Sequence, residues 1–170
     1  RMEEVVYEGY GPGGTAILLK ALTDNRNRTV SDVRSTFTKI GGTLADAGAV
    51  AWQFEQKGVV MVEAGPEEIE ELALAAIDAG ADDFETVDST LLTYSTPESM
   101  EGIRKALEEQ GASIRSSELS MLSKTTVDLD DKTAMRALKL LDSLEEIDDI
   151  QKVFSNADFS DEVLKQYGSD

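Results

Sequence analysis

The sequence predicts an α+β fold made of two α/β units, one of them a ferredoxin-like βαββαβ sandwich, and three observations carry that reading. The pattern Pro66-Glu67-x-Ile69-Glu70-x-Leu72-x-x-Ala75 with Gly80-Ala81 recurs 31 residues later as Pro97-Glu98-x-Met100-Glu101-x-Ile103-x-x-Ala106 with Gly111-Ala112. Apolar runs of strand type flank each copy, at residues 59–62, 84–87, 91–94 and 113–119. Two further strand-like runs meet at the joint Gly11-Pro12-Gly13-Gly14, ahead of a segment of helical periodicity.

Taken in order, residues 5–10 and 16–22 read as strands, because apolar and aromatic side chains fit a pleated, half-buried surface. Residues 29–40 read as a helix with the stripe Val30, Val33, Phe37 and Ile40, opened by Thr29 and Asp32 in a capping pattern. Each repeat copy reads as a helix with Pro in its first turn, where a missing N–H costs nothing, and with acidic residues where the helix dipole favours them. Ile69, Leu72, Ala73, Ala76 and Ile77 form the buried stripe of the first copy. Strand, helix, strand and strand, helix, strand then make two βαβ halves with both helices on one sheet face. Residues 124–129 follow as a strand, 131–144 as a helix, 150–155 as a strand and 159–167 as a short helix.

Composition limits the chemistry. With 41% apolar residues in 170, the chain buries a real core. No stretch approaches the roughly 20 apolar residues of a spanning helix, so no membrane role is expected. There is no Cys and no His, which removes disulfides, thiolate nucleophiles and the usual zinc ligands and general base. The formal charge of −18 is unevenly spread: residues 1–50 hold six basic and six acidic groups, and the remainder ten against 28. Such asymmetry points to different partners for the two regions.

Among candidate sites, Gly11-Pro12-Gly13-Gly14 has the glycines of a phosphate cradle but lacks the Lys-Ser/Thr of a P-loop and opens a strand; a tight hairpin connection is favoured. Tyr7 and Tyr10 are strand tyrosines suited either to stacking on bases or to packing. The best binding surface is the loop and helix start with Asn25, Arg26, Asn27 and Arg28, joined by Arg34 further along. Arginines beside the unpaired N–H groups of a helix N-terminus suit phosphate. The competing reading gives Asn25 and Asn27 to turn and capping bonds and the arginines to Asp24, Asp32 or other acids. Adjacent carboxylates such as Glu67-Glu68, Asp82-Asp83 and Asp148-Asp149 match no calcium loop and read as solvated charge. Trp52 and Phe54, alternate residues of an expected strand, read as anchors of a domain seam. No catalytic residue, metal site or cofactor is expected.

The run Tyr7-Glu-Gly-Tyr-Gly-Pro-Gly-Gly-Thr-Ala-Ile-Leu-Leu-Lys-Ala-Leu-Thr-Asp-Asn-Arg-Asn-Arg-Thr-Val-Ser-Asp-Val-Arg34, with Phe37 and Gly41-Gly42, resembles the YebC/PmpR family of bacterial regulatory proteins and their mitochondrial translational-activator relatives. Gly48-Ala-Val-Ala-Trp-Gln-Phe54 and Lys57-Gly58-Val59-Val60 fit the same family. The resemblance implies nesting: residues 1–50 plus 121–170 form a discontinuous outer domain, the family's second, and 51–120 an inserted ferredoxin-like third. The family's basic first domain, rich in Lys and His, is expected to be missing. The resemblance further implies a noncatalytic regulator acting in transcription through DNA binding and in ribosome-associated translation of proline-rich stretches. Nucleic acid, ribosomal RNA or DNA, is the expected partner, mainly in the full-length protein, together with the ribosome. The expected place is the cytoplasm, or the mitochondrial matrix in a eukaryotic relative. The alternative is a ligand-sensing or protein-interaction module of ferredoxin-like type.

Overall fold

A computed structural model describes residues 1–169. The chain divides into two compact units, residues 1–55 with 122–170 and residues 56–121.

The first unit is built on a four-stranded sheet. Strands β1 (Glu3–Tyr10) and β2 (Ala16–Thr23) pair antiparallel with Tyr7 opposite Leu19 and Glu8 opposite Leu18. With β3 (Thr43–Ala45) and β9 (Ile150–Ser155) they give the order β3-β1-β2-β9. Helices α1 (Arg26–Lys39) and α4 (Asp131–Glu145) supply Val33, Phe37, Leu140 and Leu144 to a core shared with Ile17, Leu19 and Ala21 of β2. Phe37 is fully buried and lies directly over Gly9, where an added Cβ would sit 2.6 Å from its ring and 2.8 Å from the Thr43 carbonyl. Burying such a side chain contributes about 1.5–3 kcal/mol, and here only glycine leaves room for it. A two-residue parallel ladder joins β8 (Val127–Asp128) to β10 (Ala157–Asp158), and α5 (Asp161–Ser169) ends the described chain.

The second unit runs β4 (Phe54–Glu63), α2 (Ile69–Asp78), β5 (Asp83–Val87), β6 (Thr90–Ser95), α3 (Met100–Glu109) and β7 (Ser113–Ser123), with β4 beginning and β7 ending just outside it. Its strand order β5-β6-β4-β7, antiparallel at β5–β6 and β6–β4, is that of a ferredoxin-like sandwich. Leu72, Ala73 and Ala76 of α2 and Ile103 and Leu107 of α3 share one core with Val60, Val62 and Leu91. Both helices therefore cover the same sheet face, as the repeat predicts.

Several details differ from the sequence reading. Helix α1 starts at Arg26, because Asn25 rather than Thr29 is its N-cap. Helices α2 and α3 begin three residues after their prolines, which instead open a turn and the 3₁₀ segment Pro97–Ser99. Ile77 is 45% exposed, since Leu72, Ala73 and Ala76 fill the seam with the sheet and leave it on the rim. The strand expected over 124–129 is only β8, because Leu129 turns aside to cover Gly13 and Lys124 N–H donates to the Gln53 carbonyl. Trp52 and Phe54 do not share a face: a 3₁₀ turn at Ala51–Gln53 breaks the alternation, leaving Trp52 69% exposed and Phe54 buried. The same turn is bound to the first unit by Lys124 and by Asn156 Nδ2, which donates to Gln53 Oε1, so the first unit reaches past residue 50.

Candidate functional site

The end of β2 and the start of α1 form a closed polar knot. Asn25 adopts an extended backbone and its Oδ1 accepts from Arg28 N–H at 3.1 Å, satisfying one of the orphan donors of the helix start. Thr29 is fully buried, its Oγ1 2.7 Å from both Thr23 Oγ1 and Asp149 Oδ2. A carboxylate only accepts, so the Thr29 proton goes to Asp149 and the Thr23 hydroxyl donates to Thr29. Arg28 grips Asp149 with two bonds, Nε to Oδ2 at 3.2 Å and Nη2 to Oδ1 at 3.0 Å, and reaches Asp24 at 2.9 Å. Leu22 N–H completes the knot on the Asp149 carbonyl. The Arg28 bonds, with the Thr29 hydroxyl next in weight, hold the Asp149 carboxyl below the ordinary aspartate range.

This geometry separates the residues that the sequence grouped. Asn25 and Arg28 are engaged in fixing the loop. Arg26 is exposed and pairs with the exposed Glu3, 3.3 Å away, a contact of the kind that contributes little. Asn27 and Arg34 are exposed, and their i, i+7 spacing puts them on one face of α1. The outward set is thus Arg26, Asn27 and Arg34, held by a base that Arg28 stiffens. The Gly11–Gly14 segment is a hairpin connection in which Gly13 and Gly14 take φ of +74° and +78°. Tyr7 is half-buried against the core, and Tyr10 is exposed, its hydroxyl donating to the Ala49 carbonyl at 3.3 Å.

Glu8 was not singled out by sequence. It is 5% exposed, and its carboxylate accepts Gly48 N–H at 2.7 Å on Oε2 and Val50 and Ala51 N–H at 2.9 and 2.7 Å on Oε1. Burial raises this carboxyl, but the three N–H donors outweigh it and hold it below the ordinary glutamate value. The loop so fastened carries Trp52, whose indole N–H donates to the Ala49 carbonyl.

Residues 2–157 match the family model described as the TACO1/YebC second and third domain. The chain belongs to this family. It is 54% identical over 166 residues to a probable transcriptional regulatory protein of Dehalococcoides mccartyi, and 49% identical over 170 residues to one of Chloroflexus aggregans. These matches cover 98% and 99% of the chain but 66% and 68% of the relatives, so the chain spans about two thirds of their length. The crystal structure of a conserved hypothetical protein from Aquifex aeolicus superposes with a TM-score of 0.87 at 42% identity, covering 96% of this chain and 68% of that one.

In this TACO1/YebC chain a second cationic locus escaped the sequence reading. Lys132, Arg136 and Lys139 are exposed on α4 at i, i+4 and i+7, hence on one face. With Met135, Asp142 and Tyr167, Arg136 and Lys139 line an open cleft of about 650 Å³ between α4 and α5. The spacing was legible within the predicted helix 131–144; the arrival of Tyr167 was not. Among the described residues no group of three or more Asp, Glu, His or Cys is placed to hold a metal ion, and no helix is long and apolar enough to cross a membrane.

Proposed function

We propose that the chain is the noncatalytic, nucleic-acid-contacting part of a gene-expression regulator, which meets phosphate through the outward face of α1. The observation that carries the reading is the division of labour at that helix: Arg28 is locked to Asp149 and Asp24, while Arg26, Asn27 and Arg34 stand free of the core. A stiff base lowers the ordering cost of the residues that do the contacting. The relatives' names as probable transcriptional regulatory proteins support a regulatory role. In this reading the two units correspond to the family's second and third domains, and the site of action is the cytoplasm.

Between the targets, the charge favours RNA on a ribosome over extended duplex DNA. A surface of net −18 opposes wrapping of a phosphate rod, whereas a small basic face suits local contact within a mixed protein and RNA surface. Assistance to translation through proline-rich stretches is the corresponding activity. Crosslinking of the full-length protein in cells, with and without Arg26→Ala and Arg34→Ala, tests this. Recovery of ribosomal RNA that falls in the double variant is expected; recovery of promoter DNA alone, or recovery indifferent to the variant, overturns it.

A further inference from the structure

We propose that the cleft between α4 and α5 binds a nucleoside phosphate unit, the phosphate held by Lys139 and Arg136 with Lys132 beside them, and the base resting against Tyr167. The surface is separate from α1 in sequence and in the residues it uses, so it goes beyond the function proposed for that helix.

Four observations carry it. The cleft, about 650 Å³, is of the size that takes a small ligand. In a strongly acidic molecule, three exposed cations stand in a row on one face of α4, of which Lys132 also feels the Asp130 carboxylate at the helix start. Among the described residues Arg136 makes one hydrogen bond, Nη2 to the Ile40 carbonyl at 3.3 Å, which anchors the exposed guanidinium with donors to spare for an anion. The opposite wall is aromatic, the half-buried ring of Tyr167 on α5, whose hydroxyl donates to Asp142 Oδ2 at 3.0 Å and so fixes the ring's orientation, while Met135 adds apolar surface on the α4 side.

The acids near the cleft sharpen the choice of ligand. Asp142 lies in the wall beside Tyr167, and Glu146 is close enough to act on the same hydroxyl. Burial, then the bond to Asp142, raises the Tyr167 hydroxyl, so it remains a donor. Phosphate is therefore favoured at the Lys139–Arg136 end and disfavoured at the Tyr167 end, where a neutral base stacks and can donate an amino N–H to the free Asp142 oxygen. A bare anion meets only half of this polarity. A nucleotide, charged at one end and aromatic at the other, meets both.

Two sources share this chemistry, a free nucleotide and a nucleotide within a single strand, and competition separates them. The 170-residue chain is titrated by anisotropy against a fluorescein-labelled, mixed-sequence ten-nucleotide RNA, with ATP and inorganic phosphate as competitors. Lys139→Ala is expected to weaken binding roughly three- to tenfold and to lower the salt slope by about 0.7 for each single-strand phosphate that the variant no longer neutralises. Tyr167→Ala weakens it through the base, and Tyr167→Phe, which keeps the ring, retains most of it. Displacement by ATP at concentrations where phosphate is silent identifies a free nucleotide as the ligand; a strand that only excess unlabelled RNA displaces identifies a strand. Unfolding of each variant is followed in parallel, so that affinity is counted per folded molecule. Binding unchanged in Lys132→Ala/Lys139→Ala, or equal displacement by inorganic phosphate and ATP, overturns the proposal. If Arg26→Ala/Arg34→Ala abolishes RNA binding while the α4 variants keep it, the cleft fails and the α1 reading stands; the converse result separates them the other way.

Discussion

Replacing Glu8 by Gln tests whether one buried carboxylate holds the loop that carries Trp52. The wild-type side chain accepts three backbone N–H groups, two on Oε1 and one on Oε2. Gln keeps one oxygen, which can serve Val50 and Ala51, but sets an NH₂ against the Gly48 N–H, donor facing donor. The loss is one charge-assisted bond, about 1.5–3 kcal/mol, and the two surviving bonds weaken to neutral strength. Relief from burying a charge offsets part of this, leaving a net cost of about 2–4 kcal/mol, a large share of the stability of a small domain. Trp52 is the only tryptophan, so its emission during urea unfolding reads this loop without engineering. Because the folded pKa of Glu8 lies below its unfolded value, its contribution is complete above the unfolded pKa and is lost as pH falls through the folded one. The gap between wild type and Glu8→Gln is therefore widest at neutral pH and closes in acid, the other carboxylates cancelling in the difference. An unchanged midpoint at pH 7, or a gap that widens on acidification, refutes the reasoning.

Gly9→Ala places a methyl 2.6–2.8 Å from the Phe37 ring and the Thr43 carbonyl, so urea unfolding is expected to show a loss of about 1–3 kcal/mol despite alanine's better fit to a strand. Arg28→Ala is expected to lower the urea midpoint at neutral pH, and Arg34→Ala to leave it in place; equal effects would deny the knot around Asp149. Since the folded Asp149 pKa is depressed, the Arg28 effect is present above the ordinary aspartate pKa and fades as pH falls through the folded value. Duplex DNA is expected to bind this chain weakly at physiological salt in an anisotropy titration, and tight, sequence-specific binding would show that the nucleic-acid surface has been misplaced.

The elements were legible where periodicity and a helix stop coincided. The repeat around Pro66 and Pro97 yields two helices and four strands because each copy states its own stripe and ending. The start of α1 was not legible, since Asn25 and Thr29 are both capping types with suitable spacing, and the choice is made by Asp149, which recruits Thr29 as a buried hydroxyl from far along the chain. The basic face of α1 was visible as a cluster, but its division into fixed and free arginines was not, because Arg28 and Arg26 look alike until their carboxylates are placed. Glu8 was invisible for a different reason. Its partners are backbone N–H groups, which no side-chain pattern announces.

The charge map bears on how a protein so acidic could present the nucleic-acid face proposed for it. Residues 56–121 carry four Lys and Arg against fifteen Asp and Glu; the rest of the chain carries twelve against nineteen. At physiological salt the Debye length is about 8 Å, so a phosphate at contact distance feels the guanidinium beside it far more than acids several screening lengths away. At low salt, near 0.01 M, that length is about 30 Å and the whole molecule repels the same phosphate. Local attraction and global repulsion are thus screened over different ranges, and dilution of salt does not simply tighten binding, as it does for a basic protein. If the proposed surfaces meet nucleic acid, the acidic majority suppresses indiscriminate adhesion to it, and the cations of α1 and α4 are left to engage a partner that brings phosphate to them in a fixed pose. A partner of that kind contributes contacts of its own, which a mixed protein and RNA surface such as the one proposed would supply and a bare duplex would not.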